Sequence, residues 1–430
     1  MLEILAKIIA IVTAFIAIVT TIWKRRDKVW PPLRNWYFRT WGLASAKPNL
    51  SGLNRNKLAE VLAEHYENFG SRILEIDKMR IPLIVSDAWI PEKPLDFSKI
   101  TLEWEGGPSA FPSKWEGLVE RLTRECEVVI EDNPTYRLLS MKNGEGLCLK
   151  FGLGSYKDYV ETCEALAWEL AWHVRPSIVR RLIGHKNTET REKCKETLKK
   201  PTLKKRSKIE ALDFSNRSTA VGINVLTVIT NPNEGQRDAT FLIHHRGKVV
   251  AEGIEAFHVI PAGTFQPFHK RDAYHDVEFN IAWTILREFG EEVLNKETII
   301  KTKWSYLDPK APFEEDEELK KLYLLFQKEC VNLYFLGIGL DCLTLKPEIM
   351  ILLLINGRTM ANVIPRVKRG LEGNWEGRII ENRAFEKKEL RALVANAKMT
   401  PSGKGCCALA VRNFDWIQER IDELIATNLP

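Results

Sequence analysis

The chain lacks a Cys-x-x-Cys pair, and its eight cysteines (Cys126, Cys148, Cys163, Cys194, Cys330, Cys342, Cys406 and Cys407) show no ligand-like spacing with histidine. That pattern excludes the usual structural zinc sites. Scattered cysteines among apolar neighbours pack as small hydrophobes, which suits a reducing compartment and points to the cytoplasm. A large charge of one sign is also missing. The formal net charge is +6 over 430 residues, too little to call for nucleic acid, and no direct DNA contact is expected. Gly337-Ile338-Gly339 lacks the third glycine and the following helix of a dinucleotide fingerprint. What is present is the composition of a globular protein, 45% apolar and 28% charged, long enough for two or three domains with a sizeable core.

The chain has one long apolar run. No charged residue stands between Ile8 and Trp23, and with the residues back to Leu2 a helix here reaches about 33 Å, against a hydrocarbon core of about 30 Å. Lys24, Arg25, Arg26 and Lys28 follow at once, and Trp23, Trp30, Trp36 and Trp41 suit an interfacial belt. The expectation is a transmembrane helix over 1–23 in the inner membrane, single-pass, with the body on the cytoplasmic side. A signal peptide is the main rival, given Ala44-Ser45-Ala46, but that site lies far past the apolar run and the basic cluster is on the wrong flank. A buried core helix is the third reading.

Residues 24–47 read as a juxtamembrane connector and 48–200 as an α/β region. Leu58, Val61, Leu62 and Tyr66 repeat at helical spacing, and Ile81 to Val85 reads as a short buried strand. Ser113 and Glu116 form a capping-box pattern ahead of Leu118, Val119 and Leu122. Between Arg175 and Lys208 stand thirteen Lys or Arg against three Glu. This run can serve a phosphate-rich ligand or an anionic surface, or be a solvated linker, and Pro201 favours the linker. From Ala220 strands dominate: Val221 to Ile229, Thr240 to His244, Lys248 to Val250 and Ala256 to Ile260, then Val331 to Leu336 and Glu348 to Ile355. A helical stretch from Cys406 to Ala426 closes the chain.

The stretch most suggestive of chemistry is Arg287-Glu288-Phe289-Gly290-Glu291-Glu292. It falls on a helix whose apolar side is Ile281, Ile285, Phe289 and Val293. Glu288, Glu291 and Glu292 are related by i+3 and i+4, so their carboxylates gather on one side. Carboxylates that close repel one another, and a hard cation such as Mg²⁺ relieves the repulsion and can bridge to a pyrophosphate. The other reading is a solvated acidic helix face. His258, His269 and His275 border the neighbouring loop and can touch a ligand, or be ordinary turn histidines. Pro401-Ser402-Gly403-Lys404-Gly405 precedes the last helix, where backbone N–H groups beside Lys404 can receive a phosphate; a plain helix start is the simpler reading.

Here the sequence resembles the Nudix family, whose signature is Gx5Ex7REUxEExGU. Arg287 to Glu292 reproduces the REUxEE core, and Pro261-Ala262-Gly263 stands where the family has its glycine turn. Glu278 has eight residues before Arg287 where the pattern has seven, Leu294 replaces the later glycine, and Thr264 to Asp276 forms an enlarged loop. The resemblance covers 213–430. It implies metal and catalytic roles for Glu288, Glu291 and Glu292 with Mg²⁺, and ligand contacts at Gly263 and Arg287; Lys404 is the further candidate contact, from the helix start described above. The expected fold class is α+β: an N-terminal transmembrane helix, an α/β region, and a C-terminal Nudix-like mixed sheet flanked by helices. With the anchor, the chain is similar to the transmembrane Nudix effectors found beside cyclic-oligonucleotide synthases in bacterial anti-phage signalling. That likeness implies a sensor or effector that binds a nucleotide or cyclic oligonucleotide and works as a homo-oligomer at the membrane. A Mg²⁺-dependent hydrolase of nucleoside diphosphate derivatives is the alternative.

Overall fold

The computed structural model describes residues 42–106, 114–143, 147–175, 189–199, 203, 206, 210–230, 239–246, 256–268, 276, 278–297, 299–300, 311–327, 331–363 and 377–426. Its strands are β1 (Arg72–Ile76), β2 (Met79–Val85), β3 (Leu95–Asp96), β4 (Thr101–Trp104), β5 (Pro134–Asn143), β6 (Leu147–Ser155), β7 (Gly222–Thr230), β8 (Ala239–Arg246), β9 (Phe257–Val259), β10 (Ala262–Thr264), β11 (Val331–Asp341), β12 (Pro347–Ile355) and β13 (Gly377–Ala384). The helices used below are α1 (Gly52–Asn68), α2 (Leu118–Cys126), α3 (Ala165–Val174), α4 (Glu189–Leu198), α5 (Ile281–Glu288), α6 (Glu317–Phe326), α7 (Lys387–Ala395), α8 (Pro401–Arg412) and α9 (Phe414–Ala426).

A large mixed sheet runs in the order β1-β2-β11-β12-β7-β8-β13, with β3 on β11, β10 on β7 and β9 on β8. Its centre is the parallel pair β12–β7, in register from Glu348↔Gly222 to Ile355↔Ile229. All nine residues of each strand are buried. A parallel pair covered on both faces needs such continuous apolar runs, because each side chain must find a core whichever way it points. Ile349, Ile351 and Leu353 join Ile223 and Val225 in one core, with Leu58 and Leu62 of α1, Leu166 and Leu170 of α3, and Ile281 and Ile285 of α5. Met350, Leu352 and Leu354 join Leu226 and Val228 in the other, with Leu390 of α7, Cys406 and Leu409 of α8, and Ile417 and Ile421 of α9. Each such Leu or Ile contributes roughly 1.5–3 kcal/mol by leaving water.

Strands β1 and β2 belong to this same sheet, through Leu340↔Ile84 and Asp341↔Leu83. The sheet therefore draws on both sides of residue 200. A second sheet, β4-β6-β5, lies against it: the Leu138 N–H donates to the Thr219 carbonyl, and the Tyr136 N–H to the Phe265 carbonyl, both at 3.0 Å. Helix α2 starts at Leu118 from Gly117, whose φ of 73° is one that glycine adopts without strain. The capping box expected from Ser113 is not the cap, and Ser113 itself lies outside the described residues.

The expected fold class and location need correction. The described residues form a mixed α/β body, and no helix among them is long and apolar enough to cross a membrane. Helix α1, of 17 residues, carries Arg55, Lys57, Glu60 and Glu64. The apolar α3 continues without a break from Tyr156 through the π-helical turn Val160–Glu164, but that stretch carries Lys157, Asp158, Glu161, Glu164 and Glu169, too many charges for a span. The segment 1–23 on which the expected span falls lies outside the described residues. A single-pass inner-membrane protein is thus not supported, and that placement is withdrawn.

In the basic segment, described members serve the fold. Arg191 and Lys195 of α4 pair with Glu64, and Arg206, buried, donates to Tyr66 Oη and to the Cys342 and Leu343 carbonyls.

Candidate functional site: an acidic turn against a glycine

Helix α5 starts at Asn280, whose side chain accepts the Trp283 N–H, and it buries Ile281, Ile285 and Phe289 as the spacing predicts. It then widens into a π-helical turn over Phe289–Val293. Gly290 fits there because a Cβ would lie 2.8 Å from Ile300 and 2.9 Å from Leu319. π-Helical turns of this kind occur frequently at functional sites.

The turn brings Arg287, Glu288, Glu291 and Glu292 against the Ala262–Gly263 edge of β10. Arg287 is buried; its Nη2 donates to Glu288 Oε1 at 2.8 Å, its Nε lies 3.9 Å from Glu291 Oε1, and its guanidinium stands 6.0 Å from the Phe268 ring. Burial works against its charge, but the Glu288 and Glu291 carboxylates outweigh burial and hold the guanidinium above its ordinary pKa. Glu292 is buried and accepts the Ala262 N–H at 2.9 Å. Gly263 leaves room for the approach of Glu288: a Cβ there would sit 2.6 Å from the carboxyl carbon and push it aside.

Glu278 also enters the site, although it is out of register with the Nudix pattern. It is buried, accepts the Phe268 N–H at 2.7 Å, and its charge acts on Arg287. Its charge reaches Tyr136 as well, whose hydroxyl is pushed above its usual range first by burial and then by Glu278. Sequence spacing misses Glu278 and Phe268 because the enlarged loop, not the helix period, returns them to Arg287. Half of that loop, with His269 and His275, lies outside the described residues. His258 is buried on β9, across from His244 of β8.

Lys404 is elsewhere. It lies on α8, which packs on the opposite face of the sheet from α5, and its Nζ is 3.7 Å from Glu60 Oε1 of α1. Burial lowers its pKa against the pull of Glu60. Helix α8 has a plain start, with Thr400 Oγ1 accepting the Gly403 N–H and Pro401 in the first turn.

Among the described residues no group of three or more His, Cys, Asp or Glu side chains is set to hold a metal ion. The donor chemistry of the turn nevertheless suits Mg²⁺ in kind, with hard carboxylate oxygens set against the bare backbone of Gly263. No protein-family model matches this chain, and no curated protein matches it.

Proposed function

We propose that this chain is a nucleotide-binding sensor or effector with a Nudix-like C-terminal half, whose acidic turn meets the phosphates of its ligand through a divalent cation. The supporting observation is the gathering of Glu278, Glu288 and Glu291 about Arg287, with Glu292 bound to the Ala262 N–H, at a glycine edge. Carboxylates repel bare phosphate, so a nucleotide approaches such a turn as its Mg²⁺ complex. Glu288 and Glu291, with side chains 14% and 15% exposed, are the groups that would hold the cation. When bound, it would supply charge neutralisation to phosphoryl oxygens.

The protein's own part is positioning. Arg287 fixes Glu288, Glu292 fixes the turn to β10, and Glu278 closes the 268–278 loop. Side chains committed in this way favour holding a ligand over exchanging protons with it. That balance favours binding over hydrolysis.

Calorimetry of the purified chain with cyclic and linear nucleotides, with and without Mg²⁺, tests the reading. Cyclic oligonucleotides of the type used in bacterial anti-phage signalling come first. The expected result is Mg²⁺-dependent binding that is lost in the double variant Glu288→Gln, Glu291→Gln. No binding to any nucleotide would sink the proposal. Mg²⁺-dependent release of nucleoside monophosphate, abolished in Glu291→Gln and Glu292→Gln, would make the chain a hydrolase instead.

A further inference from the structure

Lys404 carries its amine where burial works against a charge. Glycines flank it on α8 and let the helix press on its surroundings: a Cβ on Gly403 would lie 2.6 Å from Met399 Cε, and one on Gly405 would run into Met350 and Leu83. The close approach sinks the lysine stem, and the side chain is only 7% exposed. A lysine near a surface ordinarily keeps its ammonium in water.

The ion pair offered in return is poor. Nζ lies 3.7 Å from Glu60 Oε1, beyond the roughly 2.7–3.2 Å of an N–H···O bond, and the Glu60 side chain is itself 43% exposed. Asn56 explains this placement: it is buried and donates to the Ala397 and Met399 carbonyls at 2.7 and 2.9 Å, which ties α1 to the loop ahead of α8. Glu60 follows one turn later on the same side of α1. It is thereby held over Lys404 from the solvent side. Among the described residues, Glu348 acts on the neighbouring Cys406 and Arg383 on Cys407, whereas the charge that acts on Lys404 is that of Glu60.

Other lysines of the chain show the contrast. Lys114 bonds Asp158 at 2.7 Å and Lys388 bonds Glu386 at 2.9 Å, and those carboxylates hold both amines above the ordinary lysine range. Lys404 is displaced the other way, by burial first, with Glu60 opposing it in part. A buried lysine that sheds its proton becomes a nucleophile.

We propose that Lys404 is a nucleophilic lysine that forms a Schiff base with small aldehydes, Glu60 serving as its proton carrier. Neutral Nζ attacks the carbonyl carbon; the C–N bond forms and the carbonyl π pair moves to oxygen. Glu60 then carries first one and afterwards the other of the two Nζ protons to that oxygen, which leaves as water. Amine and aldehyde become imine and water, and no redox partner is needed. The approach is from the side of Glu60, whose flexible side chain can swing outward without any shift of backbone, and it suits a small carbonyl compound rather than a bulky one. Helices α8 and α5 lie on opposite faces of the sheet, so this chemistry does not depend on the acidic turn.

Limiting formaldehyde with a borane reductant, applied to the full chain near neutral pH and read by peptide mass mapping, tests the site. An imine at Lys404 is trapped as a methylamine. Lys404 should label roughly tenfold faster than Lys388 although it is far less exposed, and its rate should level off at a lower pH. Glu60→Gln, a change at the surface, should move the levelling-off to still lower pH because it removes the charge that favours the ammonium, and should lower the plateau rate several-fold. Labelling of Lys404 no faster than Lys388, or with the same pH profile, overturns the proposal; an unchanged plateau in Glu60→Gln overturns the role given to Glu60.

Discussion

Two π-helical turns in the described chain, Val160–Glu164 and Phe289–Val293, each carry two glutamates, and they use them in opposite ways. In the first, the acids reach across the molecule. Glu164 takes a two-pronged bond from Arg55 of α1 (2.6 and 3.2 Å) and a hydroxyl from Tyr159 (3.1 Å), while Glu161 lies 3.2 Å from Lys114. In the second, the glutamates gather with Glu278 and Glu288 about their own neighbour Arg287 and a backbone N–H. The same backbone device thus serves as a clasp between elements in one place and as a local concentration of negative charge in the other. What separates them is the origin of the cations: distant elements in the clasp, the same turn in the acidic site.

The comparison is most severely tested by Arg55→Ala. Removing the partly buried Arg55 takes both prongs from the buried Glu164, and the loss in denaturant unfolding is expected to be about 3 kcal/mol, unaltered by Mg²⁺. Arg287→Met should cost about 2 kcal/mol without divalent ions, as its carboxylates repel. Millimolar Mg²⁺ should restore most of that loss, since a cation bound only by the folded state stabilises it. Equal Mg²⁺ responses in the two variants would erase the distinction between the turns. Gly263→Ala, which forces Glu288 aside, should change stability by about 1 kcal/mol or less, because the displaced group is the end of a flexible side chain. Its nucleotide affinity by calorimetry should nevertheless fall roughly tenfold.

The last test, confined to alkaline pH, concerns Cys163 in the clasp. Burial pushes its thiol from 9.0 up to about 11. The folded state holds the proton more tightly than the unfolded chain, so this stabilisation is complete below pH 9.0 and is lost as pH rises towards about 11. Cys163→Ala should flatten that part of the alkaline unfolding curve; an unchanged curve would show that Cys163 has no share in it.

Much of the sheet was legible in the residues. The continuous apolar run from Glu348 to Ile355 suits a strand, and Leu58, Val61, Leu62 and Tyr66 announced α1 because their period matches a helix with one buried side. Sequence period is silent on partners, however. Nothing in Met79–Val85 says that it pairs with β11, and Asn413 does not reveal that the last helical stretch is two helices. The acidic turn was half legible: Arg287 to Glu292 stood out, whereas Glu278 joins through loop closure and Lys404 is separated by the whole thickness of the sheet. The packing of Thr135, Arg137 and Ser218 beside Gly154 left no sign at all, since they meet only once β5 has paired with β6 and lain against 218–220.

The pairing of β2 with β11 sets a schedule for biosynthesis. Leu83 and Ile84 wait for Leu340 and Asp341, about 250 residues later, which at roughly 5–20 residues per second is on the order of 10–50 s of translation. Until then β2 is paired on one side only, with β1, and the unpaired backbone groups of its other edge, among apolar side chains, are open to other chains. A nascent chain halted before β11 is a better substrate for a chaperone than the finished protein, and the yield of soluble product should respond more to slowed translation than to the stability of the completed fold.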